Sequence, residues 1–153
     1  MPIERVMVLD IPDIKLIRYR VFDDIRGFFA ELYKRSEYLS NDIPYNFVQV
    51  NLSFSRKFVV RGLHYQLKPH EQRKLIYLVK GRIYDVAVDI RRGSPWYGKY
   101  VGEYLSTGTA LWIPPGFAHG FQALEDTYLY ISLQRNTPRA TRDALNGMTA
   151  MWG

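Results

Sequence analysis

Apolar and polar residues change places in short runs along most of the chain, and nearly every run closes on Gly, Pro, Asp or Asn. The runs are rich in Val, Ile, Tyr and Phe, which suits pleated, half-buried strands bounded by turns. This pattern predicts strands over 47–52, 59–65, 74–79, 82–89, 100–105, 110–113, 120–124 and 127–132. Lys80-Gly81-Arg82 reads as a tight turn between two of them, and 89–98, with its Gly-Ser-Pro, as a longer loop over one end. Helix is scarce, with a single turn expected over 36–39. Many short strands at near-regular spacing, with no internal repeat or linker, predict one all-β domain of the sandwich or barrel kind.

Composition narrows the class. The chain has 153 residues, enough for one core and too few for a second independent one. Hydrophobic residues make up 47% and aromatics 15%, which excludes a disordered chain. There is no Cys, so disulfides, thiolate metal sites and cysteine nucleophiles are excluded together. No segment has the pattern of a membrane span or a leader peptide, and a cytoplasmic protein is expected. The net charge of +6 suits an anionic partner, but the basic residues stand in ones and twos. No aromatic strip interleaved with Lys or Arg points to nucleic acid, and a diphosphate ligand fits the diffuse charge equally well. Neither a nucleic-acid partner nor a membrane partner is expected.

Two of the three histidines lie in segments of unusual composition: Arg61-Gly62-Leu63-His64-Tyr65-Gln66 and Pro114-Pro115-Gly116-Phe117-Ala118-His119-Gly120. The third, His70, sits in a polar loop. His64 ends a predicted strand near an Arg and one strand from a Lys, the company expected where an anion or developing oxyanion is held. So few imidazoles make a poor transition-metal cage, so no metal and no other cofactor is expected. Asp85 and Asp89 share one face of their strand, and an inward Asp85 could orient a histidine.

The Pro-x-Gly-x-x-His order of 114–119 resembles the second motif of the cupin jelly-roll barrels, while the first motif lacks its usual metal ligands. More closely, RGLHYQ, KLIYLVKGRIYDVAVDIRRGSPWYGKY and LWIPPGFAHGFQALED, in that order, resemble the dTDP-4-dehydrorhamnose 3,5-epimerases, which are metal-free cupins. That resemblance runs from about Arg26 to Tyr130 and implies a cupin-type jelly roll over 1–135. It also implies epimerisation of dTDP-4-keto-6-deoxyglucose at carbons 3 and 5, in dTDP-rhamnose biosynthesis. By the same resemblance His64 is the base, Lys74 in Gln72-Arg73-Lys74-Leu75 stabilises the enolate oxygen, and Tyr130 is the proton donor. Tyr128 lies on the same strand face as Tyr130 and is its rival. Substrate binding falls to Arg26, Glu31, Gln49, Asn51, Arg61 and His119. A homodimer is implied, with the apolar segment 1–20 available for strands exchanged between barrels.

The resemblance stops near Ser132. Residues 136–153 form an atypical tail that lacks the family's nucleobase-stacking Tyr, a binding Glu and the Asp paired with the catalytic His. Codons chosen for this tail and read one base earlier spell EYSPRHERCIEWHDRDVG, close to the family's usual EYSPxxERGIxW. A frameshift between Ser132 and Arg135 is therefore the expected origin. Two further readings stand beside the first: a 3-epimerase of another nucleotide 4-keto sugar, and a cupin that binds a sugar nucleotide without turning it over.

Overall fold

A computed structural model describes residues 3–43, 46–67 and 70–135. These residues form β1 (Ile3–Val8), β2 (Lys15–Tyr19), β3 (Val21–Asp24), β4 (Gly27–Ala30), α1 (Arg35–Ser40), β5 (Gln49–Ser55) and β6 (Val60–His64). β7 (Gln72–Lys80), β8 (Arg82–Asp89), β9 (Tyr100–Ser106), β10 (Thr109–Ile113), β11 (Phe117–Ala123) and β12 (Thr127–Arg135) follow. One sheet has the order β1-β2-β10-β7-β12-β5, a second the order β6-β11-β8-β9, and β3 with β4 makes a separate ribbon. From β5 onward the chain changes sheet at every connection except β8 to β9. This is the expected all-β jelly roll.

The tight turn at Gly81 is one of these changes of sheet. Its φ is +99°, and an added Cβ would meet Asp126 O and Thr127 Cγ2 at 2.6 Å, so only glycine fits against the β11–β12 corner.

Between the sheets lie Ile76 and Leu78 of β7, Ile83 and Ala87 of β8, Leu111 and Ile113 of β10, Phe121 of β11 and Leu129 of β12. Period-two alternation on β8 turns Asp85 and Asp89 inward with Ile83 and Ala87, as the sequence suggested. The outer face of the larger sheet is covered too. There Tyr19, Leu75, Tyr77 and Trp112 pack with Tyr38 of α1 and Ile43. The Tyr38 hydroxyl is hydrogen-bonded to that of Tyr19 and donates to the Leu32 carbonyl at 2.9 Å. Covering both faces explains why β10 is buried at every residue and β7 reads as a continuous apolar run.

The helix, expected over 36–39, spans Arg35–Ser40. β1 to β4 were not predicted. Of segment 1–20, expected to be available for strand exchange between barrels, β1 and β2 extend the chain's own sheet, β1 on β2 and β2 on β10. No helix among the described residues is long and apolar enough to cross a membrane. The tail over 136–153, and with it the frameshift reading, lies outside the described residues.

Candidate active site

β6 and β11 pair with His64 opposite His119 and Arg61 opposite Phe121. Gly62 and Leu63 thus stand against the single Gly120, which is a β-bulge. Residues three apart on a regular strand face opposite sides. The bulge cancels that, and Arg61 and His64 both turn toward the space between the sheets. The backbones touch at this point: a Cβ on Gly62, whose φ is +139°, would lie 2.5 Å from Gly120 Cα, and one on Gly120 would lie 2.7 Å from Arg61 O. The two glycines of RGLH and AHGF therefore answer one steric requirement, and together they bring the two histidines opposite each other on adjacent strands.

The Pro-Pro-Gly turn before β11 has its own reason. Gly116 (φ +86°) would drive a Cβ to 2.3 Å from Arg91 Cγ. Without it, Arg91 lies across the Phe117 ring at 4.6 Å and bonds to Asp89 at 2.6 Å and Asp13 at 2.8 Å. That network pins the start of the strand that carries His119.

The larger sheet faces this pair with Lys74, set between Ile113 and Leu133 on the flanking strands. Its ammonium donates to the His64 carbonyl at 3.4 Å. On β5, Gln49, Asn51, Ser53 and Ser55 alternate with the exposed Val50, Leu52 and Phe54 and so share the inward face. Gln49 Nε2 donates to Asn51 Oδ1 at 2.9 Å, and Arg61 Nε donates to Ser55 Oγ at 2.8 Å. Arg61 also donates to the Phe54 carbonyl at 3.0 Å. Ser55 was not singled out in the sequence, although its period-two spacing from Gln49 and Asn51 carries the signal.

Electrostatics divide the labour among these groups. Burial holds the His64 imidazole below the ordinary histidine range, and the electrostatic influence of Lys74, His119 and Arg61 acts the same way. A neutral imidazole at working pH can take a proton. Burial pulls the Lys74 ammonium down to about 8, against an opposing pull from the Asp85 carboxylate. It is a cation at neutral pH in a poorly solvated place, where charge acts strongly on a developing oxyanion. His119 is buried, with Nε2 at 2.9 Å from both oxygens of the buried Asp85. The histidine beside the inward Asp85 is thus His119. Among the described residues no three His, Asp or Glu side chains converge on a cation-sized space.

Seven groups meet here: Gln49, Asn51, Arg61, His64, Lys74, Asp85 and His119. Tyr130 does not join them. It pairs with Tyr77 and Leu52, and its ring packs on the outer aromatic cluster. There it lines a cavity of about 420 Å³ with Tyr19, Tyr33 and Tyr77. Tyr128 shares that outer side and rests on Phe54, ring centroids 4.7 Å apart. Arg26 and Glu31 also stand apart, exposed on and just after the β3–β4 ribbon, where Arg26 is paired with Asp24 at 2.5 Å.

Residues 8–145 match the family model described as dTDP-4-dehydrorhamnose 3,5-epimerase. The enzyme of that name from Sinorhizobium fredii is 48% identical over 120 residues, which are 76% of this chain and 62% of that protein. The chain therefore spans less than two thirds of that relative's length. The crystal structure of the dTDP-4-dehydrorhamnose 3,5-epimerase from Sulfolobus tokodaii superposes with a TM-score of 0.82 at 52% identity, covering 91% of this chain and 78% of that one. A Legionella pneumophila dTDP-6-deoxy-D-glucose-3,5-epimerase, solved in complex with dTDP-4-keto-L-rhamnose, gives 0.81 at 39% identity, covering 88% and 73%. With a cupin-type barrel, a histidine pair on a glycine bulge and a match over most of its length, the chain belongs to the dTDP-4-dehydrorhamnose 3,5-epimerase family.

Proposed function

We propose that this protein epimerises dTDP-4-keto-6-deoxyglucose at carbons 3 and 5, giving dTDP-4-keto-rhamnose. The observation that carries the reading is the approach of Lys74 to the His64 backbone inside the barrel, which sets a base and a cation side by side. The carbon 4 ketone makes the hydrogens on its neighbours acidic, because the electron pair left behind delocalises onto the ketone oxygen. His64 takes the proton, and Lys74 holds the enolate oxygen by charge. A proton returned to the opposite face of each carbon inverts it. Arg61, Gln49, Asn51 and His119 offer donors and acceptors to the diphosphate and the sugar hydroxyls. No cofactor is needed, since the ketone itself stabilises the carbanion.

Tyr130 is the acid that the family resemblance suggests, and Arg26 and Glu31 are further binding residues on the same ground. From their positions on the outer face and on the ribbon, all three would act only after a change of register or from a neighbouring copy. A homodimer is part of the proposal. Val48, just before the edge strand β5, and Val50 and Leu52 on its outer side are each more than 60% exposed, and such a row is stable in water when a second copy covers it.

Mass spectrometry of the substrate incubated with this chain in deuterated water tests the activity. Uptake of two deuterons, abolished by His64→Asn, is the expected result. One deuteron would make the protein a 3-epimerase, and none, with the nucleotide sugar still bound, would leave the binding-only reading.

A further inference from the structure

On the inner face of the larger sheet one buried side-chain donor has no acceptor among the described residues. Gln72, the first residue of β7, is 9% exposed, and its Nε2 is shielded from water without a hydrogen-bond partner. Burying an amide donor unpaired costs free energy, so a chain keeps one where something other than the fold supplies the acceptor. β7 pairs with β12 without a break from Leu78 back to Gln72, so Gln72, Lys74, Ile76 and Leu78 share the face turned into the barrel. Around Lys74 that face offers no second donor of this kind: its cross-strand neighbours are Ile113 and Leu133, and the next inward residue along β7 is Ile76. On the opposite sheet Arg61 is engaged with Ser55 and the Phe54 carbonyl, and His119 with Asp85. Gln134, whose Oε1 is also buried without a partner, alternates with the inward Leu133 and faces away from the site.

We infer that Gln72 is a second donor to the enolate: with the sugar bound, its Nε2–H hydrogen-bonds to the oxygen on carbon 4 that Lys74 holds by charge. The inference rests on the epimerase reading, which names that oxygen; the buried, unpartnered amide does not depend on it. Carbons 3 and 5 both adjoin carbon 4, so both proton removals put the negative charge on the same oxygen. An oxyanion accepts more than one hydrogen bond, and two donors set on one rigid strand meet it at little cost in rearrangement. Rotation about the Gln72 side-chain bonds, which no protein hydrogen bond at Nε2 opposes, brings the amide to it. The amide is neutral, so it adds a bond without placing a second cation beside Lys74, which would drive the ammonium to release its proton.

The test is Gln72→Met, which keeps the length of the side chain and removes the donor, read by the kinetics of deuterium uptake and by urea unfolding. In this variant kcat should fall about a hundredfold with a much smaller change in KM, because the bond is strongest once charge has developed on the oxygen. The urea midpoint should stay level or rise, because the amide that is lost held no partner in the fold. Gln72→Glu keeps the shape and sets a carboxylate beside Lys74, so the alkaline limb of its kcat/KM profile, near 8 in the parent chain, should move upward while kcat also falls. A purely structural Gln72 gives the opposite pattern, with stability lost and the activity of the folded molecules kept. An unchanged kcat in Gln72→Met, a lowered urea midpoint or a variant that does not fold overturns the proposal. If the parent chain takes up no deuterium, the epimerase reading fails and takes the enolate with it, whereas an active parent beside an equally active Gln72→Met overturns this inference alone.

Discussion

Replacing Lys74 by Met separates what this side chain does for the reaction from what it costs the fold. Its proton affinity falls from the ordinary 10.5 to about 8, chiefly through burial, even with Asp85 pulling the other way. At about 1.4 kcal/mol for each tenfold change in proton affinity, that drop amounts to about 3 kcal/mol, an upper bound because part of the side chain reaches solvent. The sign follows from the protons bound in each state. Below the folded value both folded and unfolded chains are protonated at Lys74, so the whole cost is present at neutral pH. Between about 8 and 10.5 the unfolded chain still holds a proton that the folded chain has released, so stability rises with pH across that window. Met keeps the length of the side chain, and the flanking Ile113 and Leu133 offer it an apolar setting. Lys74→Met is therefore expected to be more stable than the parent by up to about 3 kcal/mol near pH 7 and by about 1 kcal/mol near pH 9.5, while losing deuterium uptake. Urea unfolding of both chains at both pH values measures the gap, and the subtraction cancels tyrosine ionisation common to the two. A variant less stable than the parent at neutral pH, or a gap that does not narrow as pH rises, refutes the reasoning.

Other expectations follow from the same geometry. The pH profile of kcat/KM should be bell-shaped, with an acid limb below the ordinary histidine range from His64 and an alkaline limb near 8 from Lys74; a flat profile across neutral pH would remove both from the reaction. Gly120→Ala forces a Cβ against Arg61 O and should destabilise the barrel by about 1–3 kcal/mol on thermal unfolding, with loss of activity as Arg61 and His64 are pushed apart. Tyr130→Phe, with the hydroxyl on the outer face, should leave deuterium uptake within about threefold of the parent. A loss of orders of magnitude would show that the working enzyme presents Tyr130 to the sugar in another register.

The predicted strands from 47 onward all have counterparts, because packing between the sheets imposes alternation on most of them and cover on both faces imposes a continuous apolar run on β7 and β10. β3 and β4 escaped notice for the opposite reason. Phe22, Phe28 and Phe29 are exposed, so no buried face stamps a period on that ribbon. β1 and β2 were hidden by charged residues on their outward positions, Glu4, Arg5 and Arg18. Within the site, motifs located His64, His119, Arg61 and Lys74, and the structure supplies the reason they meet, a bulge that reverses the expected facing of Arg61 and His64. The side that Tyr130 faces was not legible from its motif. A motif names a residue on a strand, but the side it faces depends on pairing with β7 and β5, which is a long-range property. Asp85 was legible as an inward carboxylate, while its partner was not, since register alone brings His119 within reach.

Lys74 lies only two residues from Ile76 and four from Leu78, on a strand flanked on both sides and covered on both faces. Backbone amides in such a strand exchange with solvent only when the whole domain opens, whereas those of the β3–β4 ribbon exchange through local fraying. The Lys74 ammonium is thus anchored in the slowest-opening part of the molecule, and its placement survives any breathing of the surrounding loops. Substitutions in the ribbon and the surface turns can then accumulate at little risk to the placement of Lys74.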